Sequence, residues 1–239
     1  MIFPVKVPYL ITPDISKYQG EAFNKNPDPY YLEQKRLELD RFGDQIISIL
    51  PSVNDNIKEV CHYLEKADMN FKALALEFEE DIAVLKGGVL EAISFCFPSG
   101  FIPSEKIGMN FFDMHLPVAD GERLRSASDK VTALISKEGN MFRRYVWTVT
   151  ALPGLSQHPA LTRPVPVSIH DLYFRTETQT TIGLANDVCL FLVKVEMHPL
   201  HIVWDDGEKR KQLLGSINSM SGETLTYKHL HQIKQLLNS

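Results

Sequence analysis

The chain has 239 residues, 44% of them hydrophobic, and a formal charge of −5. That length holds one large domain or one domain with extensions, and the apolar fraction excludes a largely disordered chain. The negative balance argues against general nucleic-acid binding, which needs a basic face. Three widely spaced cysteines, Cys61, Cys96 and Cys189, predict reduced, buried thiols rather than a disulfide framework. The first residues, Met-Ile-Phe-Pro-Val-Lys-Val-Pro, lack the basic start and long apolar core of a signal peptide. With no run of about 18 apolar residues to span a membrane, the expected location is the cytoplasm.

In chain order, residues 1–29 are rich in Pro and Asn and predict an extended segment wrapped over a domain. From Tyr30 to Leu50 the apolar residues Leu32, Leu39, Phe42, Ile46 and Ile49 recur at helical spacing, and a second helix runs from Asn54 or Asp55 to about Lys66. The period then changes. Asp81–Lys86 and Val89–Phe97 are strand-like runs divided by Gly87-Gly88, a strong hairpin signal. A short helical stretch ending at His115 follows, then a helix from about Gly121 to Lys137, which Gly139 stops. Three more strands are expected at Phe142–Leu152, His170–Ile182 and Val188–His198, with a four-proline loop from Leu152 to Val167 between the first two. Helical patterns at Glu208–Ser219 and Lys228–Leu237 close the chain. Two strands, helices, then three strands predict an α+β fold with one antiparallel sheet, helices on one face, and helical extensions at both ends. The expected organisation is an N-terminal wrapping segment and helices over 1–70, a core over 71–205 and C-terminal helices over 206–239.

The stretch from Phe95 to Val118 carries the chemistry. It breaks at Pro98-Ser99-Gly100, restarts near Ser104, and leads through Ile107, Met109, Phe111, Phe112 and Met114 to His115, with Pro117 as a stop. One histidine closing an apolar segment is poor for zinc, which wants three or four protein ligands. It suits a large flat cofactor needing one axial nitrogen and apolar walls, namely haem. The alternative is a half-buried histidine bonded to a backbone carbonyl. On the strand 170–182, alternation puts Arg175, Glu177 and Gln179 on one face. They form either a solvent-exposed ion pair or a polar wall beside a cofactor. Arg144 is either a surface residue or a donor to a propionate or to oxygen, and Trp147 lies on the opposite face from it. His198 and His201 lack a supporting ligand cluster, and His229 and His231 cannot face one ligand from a helix. No Cys-x-x-Cys-His, nucleotide-cradling glycine motif or Gly-x-Ser-x-Gly elbow occurs.

These pieces together resemble the haem-dependent oxidative N-demethylase alpha-subunit-like family. Its Cys-x-Pro-Ser start appears as Cys96-Phe97-Pro98-Ser99, its Pro-x-Glu-Lys-Leu-Gly as Pro103 to Gly108, and its Ile-His-x-Pro-Val-Pro as Met114 to Ala119. Its Arg-x-Asn-Trp becomes Arg144-Tyr145-Val146-Trp147, its Arg-Val-Glu-Arg-Gln-Thr-Leu becomes Arg175 to Thr181, and its Tyr-Lys-Gly-Leu becomes Tyr227 to Leu230. The ordered set covers about two thirds of the chain. Phe101, Ala119, Val146 and Thr178 depart from the pattern, and the last two remove an amide and a charge near the supposed pocket.

The resemblance implies a PAS-like sheet around haem b, with His115 as iron ligand and Ile107, Phe111, Met114, Trp147 and Gln179 as further cofactor contacts. It implies Glu177, Arg175 and Arg144 as catalytic residues, Glu177 holding a small amine and an arginine polarising oxygen. The implied partners are the amine, O2 and a separate electron-transfer or reductase protein, without nucleic acid or membrane; homo-oligomerisation stays open. The competing class is a non-enzymatic haem-based gas sensor or haem-binding protein.

Overall fold

Gly87 and Gly88, at φ +54° and +82°, turn the chain in two residues between β3 (Asp81–Lys86) and β4 (Val89–Ser94). Two consecutive positive φ values match the right-handed twist of the flanking strands, and glycine adopts them without a Cβ penalty. The hairpin belongs to a seven-stranded antiparallel sheet in the computed structural model, which describes residues 1–66 and 69–239. The three long strands are β5 (Met141–Thr150), β6 (Tyr173–Gly183) and β7 (Val188–Pro199). The five main strands lie in the spatial order β4-β3-β7-β6-β5, with a helical insertion between β4 and β5. This is the expected α+β architecture and is compatible with a PAS-like arrangement.

Two short edge strands, β1 (Ser16–Lys17) beside β5 and β2 (Ile47–Ile49) beside β4, were not legible in the sequence pattern. The helix expected over Tyr30–Leu50 is α1 (Pro29–Phe42) only. Asp28 caps its start, and Gly43 at φ +48° ends it by returning its N–H to Leu39. Ile46 and Ile47 are therefore buried by the sheet, not by a helical stripe. After α2 (Asn54–Tyr63) and α3 (Phe71–Ala75), the insertion holds α4 (Phe111–Met114), α5 (Glu122–Ser126) and α6 (Ser128–Ile135), so the single helix expected over Gly121–Lys137 is divided at Ala127. The C-terminal part is α7 (His201–Trp204), α8 (Gly207–Asn218), α9 (Gly222–Tyr227) and α10 (His231–Asn238). Ser221 starts α9 by accepting from the Thr224 N–H.

Strand registers sort the sheet into two faces. Ala83, Leu85, Ile93, Phe142 and Cys189 share one face and pack with Val131 and Ile135 of α6. Ile82, Val84, Ala92, Leu190 and Leu192 share the other and pack with α2 and α3. On that second face Trp147, Val149 and Phe174 pack with Leu213 and Ile217 of α8 and Leu225 of α9. The inserted helices thus take one face, while terminal helices cover the other. Cys61, Cys96 and Cys189 are buried free thiols, and burial pushes those of Cys96 and Cys189 up to about 12.

Gly183 shows how closely α6 meets the sheet. A Cβ there would lie 2.1 Å from the carbonyl oxygen of Lys137, a backbone atom that cannot swing away. Gly183→Ala is expected to cost about 1–3 kcal/mol, in the range of overpacking. Chemical denaturation should show a lower midpoint at unchanged slope, and a shift of under a few tenths of a kcal/mol would refute this reading of the contact.

Candidate functional site

Asn110 starts α4 by accepting from the Asp113 N–H at 2.9 Å, which sets the short turn that delivers His115 at its C-terminal cap. The His115 Nδ1 lies 2.6 Å from the Phe111 carbonyl oxygen, and the two rings lie 4.2 Å apart. A carbonyl can only accept, so Nδ1 carries the proton and Nε2 keeps its lone pair. Among the described residues Nε2 has no hydrogen-bond partner. Burial lowers the imidazole pKa; the Phe111 bond opposes this, while the charges of Arg144, Lys106 and Arg125 lower it further. The backbone-bonded histidine expected as the alternative is what the structure shows, and such a bond is also the one a ligating histidine usually makes through its other nitrogen.

The polar residues of β6 are not exposed. Arg175 keeps 2% of its surface and Glu177 7%. Arg175 donates through Nε to Leu155 O at 3.2 Å, through Nη1 to Glu177 Oε1 at 2.5 Å and Ser99 Oγ at 2.6 Å, and through Nη2 to Phe97 O at 2.8 Å. Ser99 also donates to Glu177 Oε1, and Gln179 Nε2 donates to Oε2 at 2.6 Å. Burial pushes the Glu177 carboxyl up, but Arg175, Ser99 and Gln179 together outweigh it and hold the group below the ordinary glutamate value. The reading of a solvent-exposed ion pair fails. Four of the five guanidinium N–H groups of Arg175 are engaged, so its visible work is to fix Glu177.

Arg144 pairs in register with Gln179, and Val146 with Glu177, so the Arg144 side chain shares their face. It is half-buried, its Nε is closed off from solvent and unpartnered, and burial lowers its pKa while Glu177 raises it. Arg144 thus lies within electrostatic reach of both His115 and Glu177. Ile107, Phe111 and Met114 are half-buried against the aliphatic cluster of that face, beside Phe142. Trp147 does not join them. Its register partner is Thr176, and it packs against Phe174 and Tyr9 on the opposite face. Its expected role as a cofactor contact is corrected on that ground: residues an odd number of positions apart on one strand, as Arg144 and Trp147 are, point to opposite sides of the sheet.

Other residues that hold the site escaped the sequence reading. Asp81 accepts from the Cys96 and Phe97 N–H groups at 3.0 and 2.8 Å, and the fully buried Lys35 lies 3.5 Å from it. Burial raises the Asp81 carboxyl despite Lys35. Gln157 brackets the same motif from the other side, its N–H on Pro98 O and its carbonyl accepting from Gly100. Arg163 of the proline-rich loop donates to Gln157 Oε1 at 3.0 Å. Ser99 stood inside a motif that could have flagged it, whereas no period marks Lys35, Gln157 or Arg163.

On one face of the antiparallel sheet the structure thus brings an apolar-walled histidine with a free Nε2 and a half-buried arginine with an unpartnered Nε, one nitrogen acceptor and one cationic donor for a ligand. Among the described residues no group of three or more His, Cys, Asp or Glu could hold a bare metal ion, and no helix is long and apolar enough to cross a membrane. The chain belongs to the family described as haem-dependent oxidative N-demethylase, alpha subunit-like, whose model matches residues 65–238. No curated protein sequence matches it.

Removing the Glu177 charge leaves a guanidinium buried without a counter-ion, the costly way to break such a pair. Glu177→Gln should lose about 3 kcal/mol at neutral pH. Because the folded carboxyl titrates below its unfolded value, this stabilisation is present above about pH 4.3 and fades as pH falls through the lower folded value. The gap between wild type and variant in urea midpoints should therefore close in acid, and a gap independent of pH would contradict the pairing.

Proposed function

We propose that this chain binds haem b through His115 Nε2 and takes part in the oxidation of a small amine. The observation that carries the reading is the Phe111 carbonyl bond, which holds His115 as the tautomer able to ligate iron. Family membership supports the cofactor and the oxidative class, and the alpha-subunit description supports electron delivery by a separate protein. Haem, when bound, supplies the site for O2 and the oxidising chemistry that turns an N-alkyl amine into an aldehyde and the shorter amine.

The chain's own residues have separable tasks. Ile107, Phe111 and Met114 exclude water around the imidazole. Arg144 offers guanidinium N–H groups to a propionate, and its unpartnered Nε fits such an acceptor. Glu177, kept anionic by Arg175, Ser99 and Gln179, offers the remaining lone-pair capacity of its carboxylate to a protonated amine. Arg175 positions that carboxylate, while Arg144 remains the donor for polarising oxygen or holding a propionate.

Titrating the purified chain with haem should give the absorption spectrum of a histidine-ligated haem protein. His115→Ala should abolish that signature while leaving the apolar walls, and added imidazole should restore it. A variant that keeps the wild-type spectrum and haem affinity would place the axial ligand elsewhere.

A further inference from the structure

We infer that the amine substrate carries a carboxylate of its own, as in an N-alkylated amino acid, and that Arg163 reads this carboxylate at the edge of the site. The inference rests on the proposed amine chemistry and specifies its substrate class.

Glu177 is the site's carboxylate, and Arg175 already neutralises it at 2.5 Å. Arg144 and Arg163 remain, and among the described residues neither forms a salt bridge. Arg163 is half-buried and sits beside the Glu177 clamp through a continuous set of bonds. Its Nη1 donates to Gln157 Oε1 at 3.0 Å, Thr150 Oγ1 donates to the same atom at 2.7 Å, and the Gln157 backbone pairs with the Pro98–Gly100 strap. That strap carries Ser99, which touches both Glu177 and Arg175. Gln157 engages one N–H of Arg163 and leaves Nε and Nη2 for a ligand.

The two unmatched arginines stand on different elements. Arg144 lies on β5 in register with Gln179, on the face shared by Ile107, Phe111 and Met114. Arg163 lies in the loop between β5 and β6, bonded to Gln157, whose backbone bridges to Ser99, the residue that bonds Glu177.

A bare amine cation entering here meets a carboxylate already paired and an arginine that repels it. A ligand with a carboxylate next to its amine turns that repulsion into a charge-assisted, fork-shaped contact.

The test is calorimetric titration of the full chain, supplied with haem, with N-methylglycine and with dimethylamine. N-methylglycine should bind roughly ten- to a hundredfold more tightly, as one charge-assisted contact allows. Arg163→Gln should erase that advantage by weakening N-methylglycine, and should tighten dimethylamine because the repelling charge is gone. Arg163→Lys, which keeps the charge but loses the fork, should retain part of it and serves alone if the glutamine variant does not fold. Equal or tighter binding of dimethylamine by wild type, or N-methylglycine affinity unchanged by loss of Arg163, overturns the inference while the amine reading stands. Weakened haem affinity in Arg163→Gln also overturns it, by making Arg163 a propionate partner. Binding of neither amine overturns both readings together.

Discussion

The Arg175–Glu177 pair survives in the interior because nearly every polar atom of both side chains has a partner. Bringing two such ions out of water costs several kcal/mol each, and their mutual attraction repays this only when the remaining lone pairs and protons are also satisfied. Ser99, Gln179, Leu155 and Phe97 supply those partners. The strap from Cys96 to Gly100 must therefore hold one path, and Asp81 and Gln157 fix it from either side. Asp81 in turn is tolerable at 1% exposure because Lys35 lies beside it, itself held by the carbonyls of Ala75 and Glu80. A chain of buried charges thus runs from α1 through the start of β3 to the middle of β6. Each link would be costly alone, so the N-terminal helix, the strap and the sheet order together.

That network gives the site its division of labour. The apolar half is built by helices over an aliphatic sheet face, where packing positions Phe111 and, through its carbonyl, the His115 ring. The polar half is built on strands, whose side-chain directions are set by register and whose ions are locked by the strap. Arg144 stands at the seam, close enough to lower the His115 pKa and to be raised by Glu177. The carboxylate and the imidazole belong to one face of the sheet, with the Arg144 guanidinium within electrostatic reach of both.

Much of this was legible in the sequence where a period or a turn signal carried it. The Gly87-Gly88 hairpin, the alternation of Arg175, Glu177 and Gln179, and the placement of His115 after an apolar turn follow from local chemistry. Ile46 and Ile49 misled because helical and strand spacings coincide over so short a run, and only Gly43 decides between them. α9 escaped because its stability comes from the Ser221 cap and from Leu225 in the core, not from a long apolar stripe. Trp147 was drawn toward the cofactor by its neighbour Arg144 in the family motif, although strand alternation separates the two.

The residues that were hardest to foresee share one property: their partners are distant in sequence. Lys35 reaches Asp81 across 46 positions, Ser99 reaches Glu177 across 78, and Arg163 acts through a glutamine that pairs with a different loop. Nothing local requires a lysine in the middle of α1, and a hydrophobic residue there would better fit the buried stripe. The lysine makes sense only once Asp81 is buried to hold the strap, and the strap only once Glu177 must stay ionised inside the protein. Stability alone would be served as well by apolar replacements at all these positions. The matched set of buried charges ends at Glu177, whose carboxylate Arg175, Ser99 and Gln179 keep ionised inside the protein.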